Sequence, residues 1–191
     1  MGIFGGVYMI KSDVQLDAKG LACPMPIVRT KKVMATVEEG QVLEVQATDK
    51  GSVADLAAWS KTVGHQYIGS TEDNGVFYHY IRKGKEEELT ASASTKTISV
   101  DDAMNGSGIL LDVREEAEYK FGHIPGAISI PMRELTQRMN ELDKEQSIYV
   151  ICRSGTRSDL AVRQLEDAGF TKTYNVVTGM ISYNGPLNKE I

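Results

Sequence analysis

Two cysteines stand in settings that make sulfur chemically useful, and they are the only two in the chain. Cys152-Arg153-Ser154-Gly155-Thr156-Arg157-Ser158 follows an apolar run over 147–151 and precedes a helix-patterned stretch over 158–168. That order places a cysteine at a strand end, before a short loop that opens a helix. Backbone N–H groups, two arginines and the positive end of a helix dipole then surround its sulfur. These influences depress a thiol pKa and make cysteine a nucleophile near neutral pH. Gly155 permits the tight turn that points amides inward. Cys23 precedes a second apparent helix start, Cys23-Pro24-Met25-Pro26. Pro24 and Pro26 suit a first helical turn, which needs no intrahelical N–H. Cys23 is accordingly expected at the N-cap, with its sulfur over the open amides. Two cysteines so placed suggest sulfur handed between thiols.

The elements that must position these residues follow from hydrophobic patterning. In the first half, 14–17 reads as a short strand. A helix follows over 24–37, with Ile27, Thr30, Met34 and Val37 on one face. Residues 42–48 alternate as a strand, with Leu43, Val45 and Ala47 on one side. Ser52-Val-Ala-Asp55 resembles a capping box opening a second helix that carries Val53, Leu56, Ala57, Ser60 and Val63 and ends before Gly64. Strands over 67–71 and 76–82 flank the hairpin signal Asn74-Gly75. The order β-α-β-α-β-β predicts a two-layer α/β domain over 13–83. In the second half, short apolar strands over 108–112, 127–130, 147–151 and 174–177 are separated by helical stretches over 115–121, 133–142 and 158–168. That alternation predicts a parallel sheet flanked by helices over 98–191, with the ligand site at the carboxyl ends of its strands. Cys152 falls there. Between the halves, 84–97 is charged, then small and polar, and reads as a linker. Residues 1–12 form an N-terminal extension without the features of a signal peptide.

Composition narrows the function classes. The 191 residues are 41% hydrophobic and 25% charged, with a net charge of −5. An acidic chain is a poor phosphate neutraliser, so no direct nucleic-acid binding is expected. No run reaches the roughly 18 apolar residues of a membrane span, so no membrane partner is expected either. Two cysteines make no disulfide framework, and no metal-ligand spacing involves them or the three histidines. The expectation is a cytoplasmic setting with no cofactor and no metal. Composition sets no oligomeric state.

Loop length separates two chemistries for Cys152. Cysteine phosphatases place five residues between cysteine and arginine; here four separate Cys152 from Arg157. The tighter cradle suits a terminal sulfur better than a tetrahedral phosphate, and the same donors would stabilise an anionic persulfide. Phosphatase or arsenate-reductase chemistry stays as an alternative. Asp112 and Arg114 read as a structural ion pair at a strand end, and His123 as the pin of a Gly-His-Ile-Pro-Gly turn. Arg29, Lys31 and Lys32 read as a solvated helix face, and Trp59 as helix packing.

Several motifs occur together and in order: Leu111-Asp-Val-Arg-Glu-Glu116, Gly122-His-Ile-Pro-Gly-Ala127, Ile130-Pro131, Cys152-Arg-Ser-Gly-Thr-Arg157 and Thr178-Gly-Met180. With them, 98–191 resembles a single rhodanese domain; it departs at Tyr183, where many relatives carry tryptophan. The resemblance implies sulfurtransferase activity through a persulfide on Cys152, held by Arg153, Ser154, Gly155, Thr156 and Arg157. Leu16-Asp-Ala-Lys-Gly-Leu-Ala-Cys-Pro-Met-Pro26 resembles the TusA/SirA family of small sulfur carriers, which implies that Cys23 accepts and passes on a persulfide sulfur. The function expected is sulfur transfer from a small donor (thiosulfate, polysulfide or a low-molecular-weight persulfide) through Cys152 to Cys23. From Cys23 it passes to a thiol acceptor or a downstream sulfur-transfer protein. A non-catalytic carrier or adaptor is the other reading.

Overall fold

A computed structural model describes residues 10–84 and 96–191. Most of the expected extension and most of the expected linker lie outside the described residues. The chain divides into two compact units, one within 1–86 and the other within 87–189.

The first unit has the strands β1 (Val14–Asp17), β2 (Val42–Ala47), β3 (Gln66–Asp73) and β4 (Val76–Arg82). Its helices are α1 (Met25–Met34) and α2 (Ser52–Val63). The sheet order is β1-β2-β4-β3, with β1 parallel to β2 and the other pairs antiparallel. The period-2 side of β2 supplies the core: Leu43, Val45 and Ala47 are fully buried, and Leu43 and Val45 cluster with Leu16, Met34, Val37, Leu56 and Ile81. Burying side chains of this size contributes about 1.5–3 kcal/mol each. The β3–β4 turn uses Asn74 (φ 51°) and Gly75 (φ 79°), the two left-handed residues a tight hairpin demands.

One local expectation is corrected here. Ser52 is not a cap: Gly51 holds the N-cap position of α2 and no side-chain cap is made. Ser52 instead donates to the Asp49 carbonyl at 2.6 Å and meets Nε2 of His79 at 3.0 Å. A capping box does occur in the second unit, where Glu115 and Glu118 bond reciprocally at the start of its second helix.

The second unit has β5 (Thr97–Ile98), β6 (Ile109–Asp112), β7 (Ile128–Ser129), β8 (Ile148–Ile151) and β9 (Thr173–Val176), all parallel, in the order β5-β9-β8-β6-β7. Its helices are α3 (Val100–Asn105), α4 (Glu116–Phe121), α5 (Leu135–Arg138) and α6 (Thr156–Asp167). Successive residues of β8 feed opposite cores. Ile148, Val150 and, just beyond the strand, Cys152 pack with Leu111, Val113, Leu135, Val162 and Leu165. Tyr149 and Ile151 pack with Val100, Leu110, Ile124 and Val176. The stretch over 133–142 is not one helix. α5 is a single turn between 3-10 turns at Met132–Glu134 and Met139–Glu141, and this broken path still buries Leu135 and Leu142. β5 and α3 are additional to the expected elements, and Ser99 caps α3 through the Asp102 N–H at 3.1 Å.

Candidate functional sites

Cys152 leaves the carboxyl end of β8 and is fully buried. Gly155 adopts φ 99° at the N-cap of α6, and this left-handed turn aims its N–H at the Cys152 Sγ at 3.1 Å. Oγ of Ser158, one turn into α6, lies 3.3 Å from the same sulfur and 2.7 Å from Oδ1 of Asn175. A hydroxyl has one proton to give, so it can point at only one of the two at a time. Nδ2 of Asn175 donates to the Gly155 carbonyl at 3.1 Å, tying the loop to β9. The loop is also strapped from outside: the Met180 and Ile181 N–H groups donate to the Cys152 and Arg153 carbonyls at 2.9 and 3.1 Å. Gly179 makes this approach possible, because a Cβ there would lie 2.3 Å from the Cys152 carbonyl oxygen.

The two loop arginines behave differently. Arg157 is buried and donates twice to Glu118, at 2.8 and 3.0 Å. Burial alone would lower its pKa, but the Glu118 carboxylate and the Cys152 sulfur raise it, so it stays cationic. Its charge is therefore balanced by a carboxylate, and it acts first as a brace between α6 and α4. Arg153 is half-buried. Ser154 and Gly155 are buried and Thr156 is half-buried at the first position of α6.

Asp112 and Arg114 form a closed buried pair. Nε of Arg114 lies 3.0 Å from both Asp112 oxygens, Nη2 is 2.6 Å from one of them, and a further bond reaches the Gly122 carbonyl at 2.8 Å. His123 stacks on Tyr119 with ring centroids 3.7 Å apart and exchanges backbone hydrogen bonds with Asn188.

Cys23 differs from its expectation. It is exposed and lies before the N-cap of α1, which is Pro24; Pro26 is buried in the first turn. Its thiol donates to Oδ2 of Asp55, in the first turn of α2, at 3.3 Å. That hydrogen bond, the partial loss of water around the thiol and the nearby charges of Asp55 and Asp49 push its pKa up, the reverse of the depressed value expected for an N-cap. Arg29, Lys31 and Lys32 are exposed on α1, and Trp59 packs against the first core and edge-on to His65 at 5.8 Å.

Sequence reasoning missed Asp55, Glu118, Ser158 and Asn175 as parts of these sites. Glu118 carried a signal, since it follows Glu115 by three residues at a helix start. Asn175 carried none beyond being a polar residue within an apolar strand.

Comparisons with known proteins agree with this division. Residues 14–83 match the model described as Sulfurtransferase TusA, and residues 97–185 match the Rhodanese-like domain. The chain is 46% identical over 186 residues to "Putative sulfur carrier protein YrkF" of Bacillus subtilis (strain 168), covering 93% of this chain and 98% of that one. "Putative sulfur carrier protein YrkI" of the same organism is 59% identical over 75 residues, 39% of this chain and all of the relative. "Putative sulfurtransferase YtwF", also of Bacillus subtilis, is 37% identical over 99 residues, 52% of this chain and 91% of the relative. Among the described residues no helix is long and apolar enough to cross a membrane. With relatives matching each half and one matching both, the chain belongs to the sulfur carrier and sulfurtransferase family in which a TusA domain precedes a rhodanese-like domain.

Proposed function

We propose that the protein relays sulfane sulfur from a small donor, such as thiosulfate, polysulfide or a low-molecular-weight persulfide, through Cys152 to Cys23 and on to an acceptor thiol. The observation that supports this most is the seat of the Cys152 sulfur at the start of α6, facing the Gly155 N–H and the Ser158 hydroxyl. A sulfur added there leaves an anionic terminus beside hydrogen-bond donors and a helix N-terminus. Ser158 suits the change of charge, since its hydroxyl can turn from Asn175 to the sulfur when the latter ionises. Cys152 attacks the donor's sulfane sulfur, the donor's own bond to that sulfur breaks, and the remainder leaves with its electron pair. Cys23 then attacks the outer sulfur, the inner S–S bond breaks, and Cys152 departs as thiolate. The segment 84–97 joins the two cysteine-bearing halves, and a linker of that length, if flexible, brings one thiol to a millimolar effective concentration at the other.

Mass spectrometry after exposure to donor tests the relay. Each cysteine of the wild type should gain one sulfur atom, and Cys152→Ser should load Cys23 far more slowly. Full-rate loading of Cys23 in that variant refutes the relay. A second reading, a carrier whose rhodanese half only binds a partner, draws on the complete burial of Cys152. Absence of thiocyanate production from thiosulfate and cyanide would favour it.

A further inference from the structure

We infer that Asp55 is a specificity-determining residue of the carrier site: its carboxylate, hydrogen-bonded to the Cys23 thiol, turns away free anionic sulfur donors and leaves Cys23 to load from a persulfide delivered by a protein. The inference rests on the reading of Cys23 as the carrier thiol.

The geometry is direct. The thiol is exposed, so a small donor in solution can reach it, and it is hydrogen-bonded to a carboxylate oxygen at 3.3 Å. Asp49, in the loop before α2, adds a second negative charge that the sulfur feels, so the acidic groups come from both the loop and the helix packed beside Cys23. Thiosulfate and polysulfides are anions and must approach against both charges. At Cys152 the polar groups facing the sulfur are instead an amide and a hydroxyl, and the nearby Asp112 and Glu118 carboxylates are each paired with an arginine. The two thiols of one chain therefore sort free donors by charge: free anions enter at Cys152, and Cys23 takes its sulfur from a persulfide whose negative terminus is already compensated by the hydrogen-bond donors of the site that delivers it.

The transfer balances without an outside reagent. The Cys23 proton passes to the Asp55 carboxylate as Sγ attacks the outer sulfur of the donor persulfide. A new S–S bond forms, the donor's S–S bond breaks, and the departing thiolate takes a proton back. The sum is one persulfide and one thiol exchanged for another persulfide and thiol.

The test uses the full chain carrying Cys152→Ser, so that Cys23 is the only thiol. Its alkylation rates with iodoacetamide, which is neutral, and iodoacetate, which is anionic, are compared at low salt. One unit charge roughly 5 Å from the incoming anion in water slows it by about fourfold. Asp55→Asn should therefore lower the iodoacetamide-to-iodoacetate rate ratio by about fourfold and speed direct loading of Cys23 by polysulfide by a similar factor. Asp55→Glu should keep the parent's ratio. Salt at about 1 M should lower the ratio of the parent protein without any change at Asp55, which keeps the inference testable if Asp55→Asn folds poorly. A ratio that moves with neither the substitution nor salt overturns it. The relay stands or falls separately: if the ratio shifts as expected while Cys152→Ser still loads Cys23 at full rate, the charge filter survives and the relay does not.

Discussion

The brace beneath the Cys152 loop invites a decisive perturbation, Glu118→Gln. The Glu118 side chain is 1% exposed and that of Arg157 is 9% exposed, and two charge-assisted bonds of 2.8 and 3.0 Å join them. Removing one member of a buried pair costs about 3–5 kcal/mol, because the other charge stays buried without compensation. Glutamine keeps one oxygen that a guanidinium N–H can use, so the expected loss lies at the lower end, about 3 kcal/mol. With a urea slope of about 1.5 kcal/mol/M, the midpoint of the second unit should fall by about 2 M. The only tryptophan, Trp59, lies in the first unit. Its fluorescence therefore follows that unit and should not move, while hydrogen exchange of α6 and β8 reads the second. A midpoint change below about 0.5 M would refute the argument, showing that water already solvates the pair. Arg157→Met with Glu118→Leu should recover most of the lost stability, since apolar isosteres replace buried pairs at little cost. The same double variant should still transfer sulfur poorly if the cation is needed beside the loop.

Two further outcomes are expected. His79 is fully buried between Ser52 and Tyr67, and burial lowers its pKa to about 4, below the ordinary 6.5. The unfolded chain binds the proton first on acidification, so its stabilising effect is complete above about pH 6.5 and is lost as pH falls towards 4. Unfolding followed through Trp59 should show the first unit about 2 kcal/mol weaker near pH 5 than near pH 7, and His79→Phe should flatten that dependence. Gly179→Ala places a Cβ against the Cys152 carbonyl at a residue with φ 50°, so the strap over the loop must shift. A loss of about 3 kcal/mol in the second unit is expected by denaturation, with slower loading of Cys152; an unchanged midpoint would show that the strap yields freely.

Periodicity made much of this architecture legible. The β-α-β-α-β-β order of the first unit follows from alternation at Leu43, Val45 and Ala47 and from the Asn74-Gly75 turn, both set by local backbone physics. The seat of Cys152 follows from a strand meeting a helix across a glycine. What stayed hidden depends on residues far apart in sequence. Asp55 stands 32 positions from Cys23 and Glu118 stands 39 from Arg157, and no local pattern announces either meeting. Ser52 read as a cap because its spacing to Asp55 fits one, yet the buried His79 and the Cys23 thiol offered those side chains better partners. β5 escaped notice because two residues are too few to show a period.

The complete burial of Cys152 carries one more consequence. Its side chain belongs to the apolar cluster that includes Leu111, Val113 and Val150, and its sulfur meets the amide and hydroxyl of the loop. Reagents should therefore be sorted by girth as much as by electrophilicity. A slender methanethiosulfonate would slip in where a bulky maleimide stalls, and a sulfur chain, one atom wide, has the slimmest profile a donor could offer.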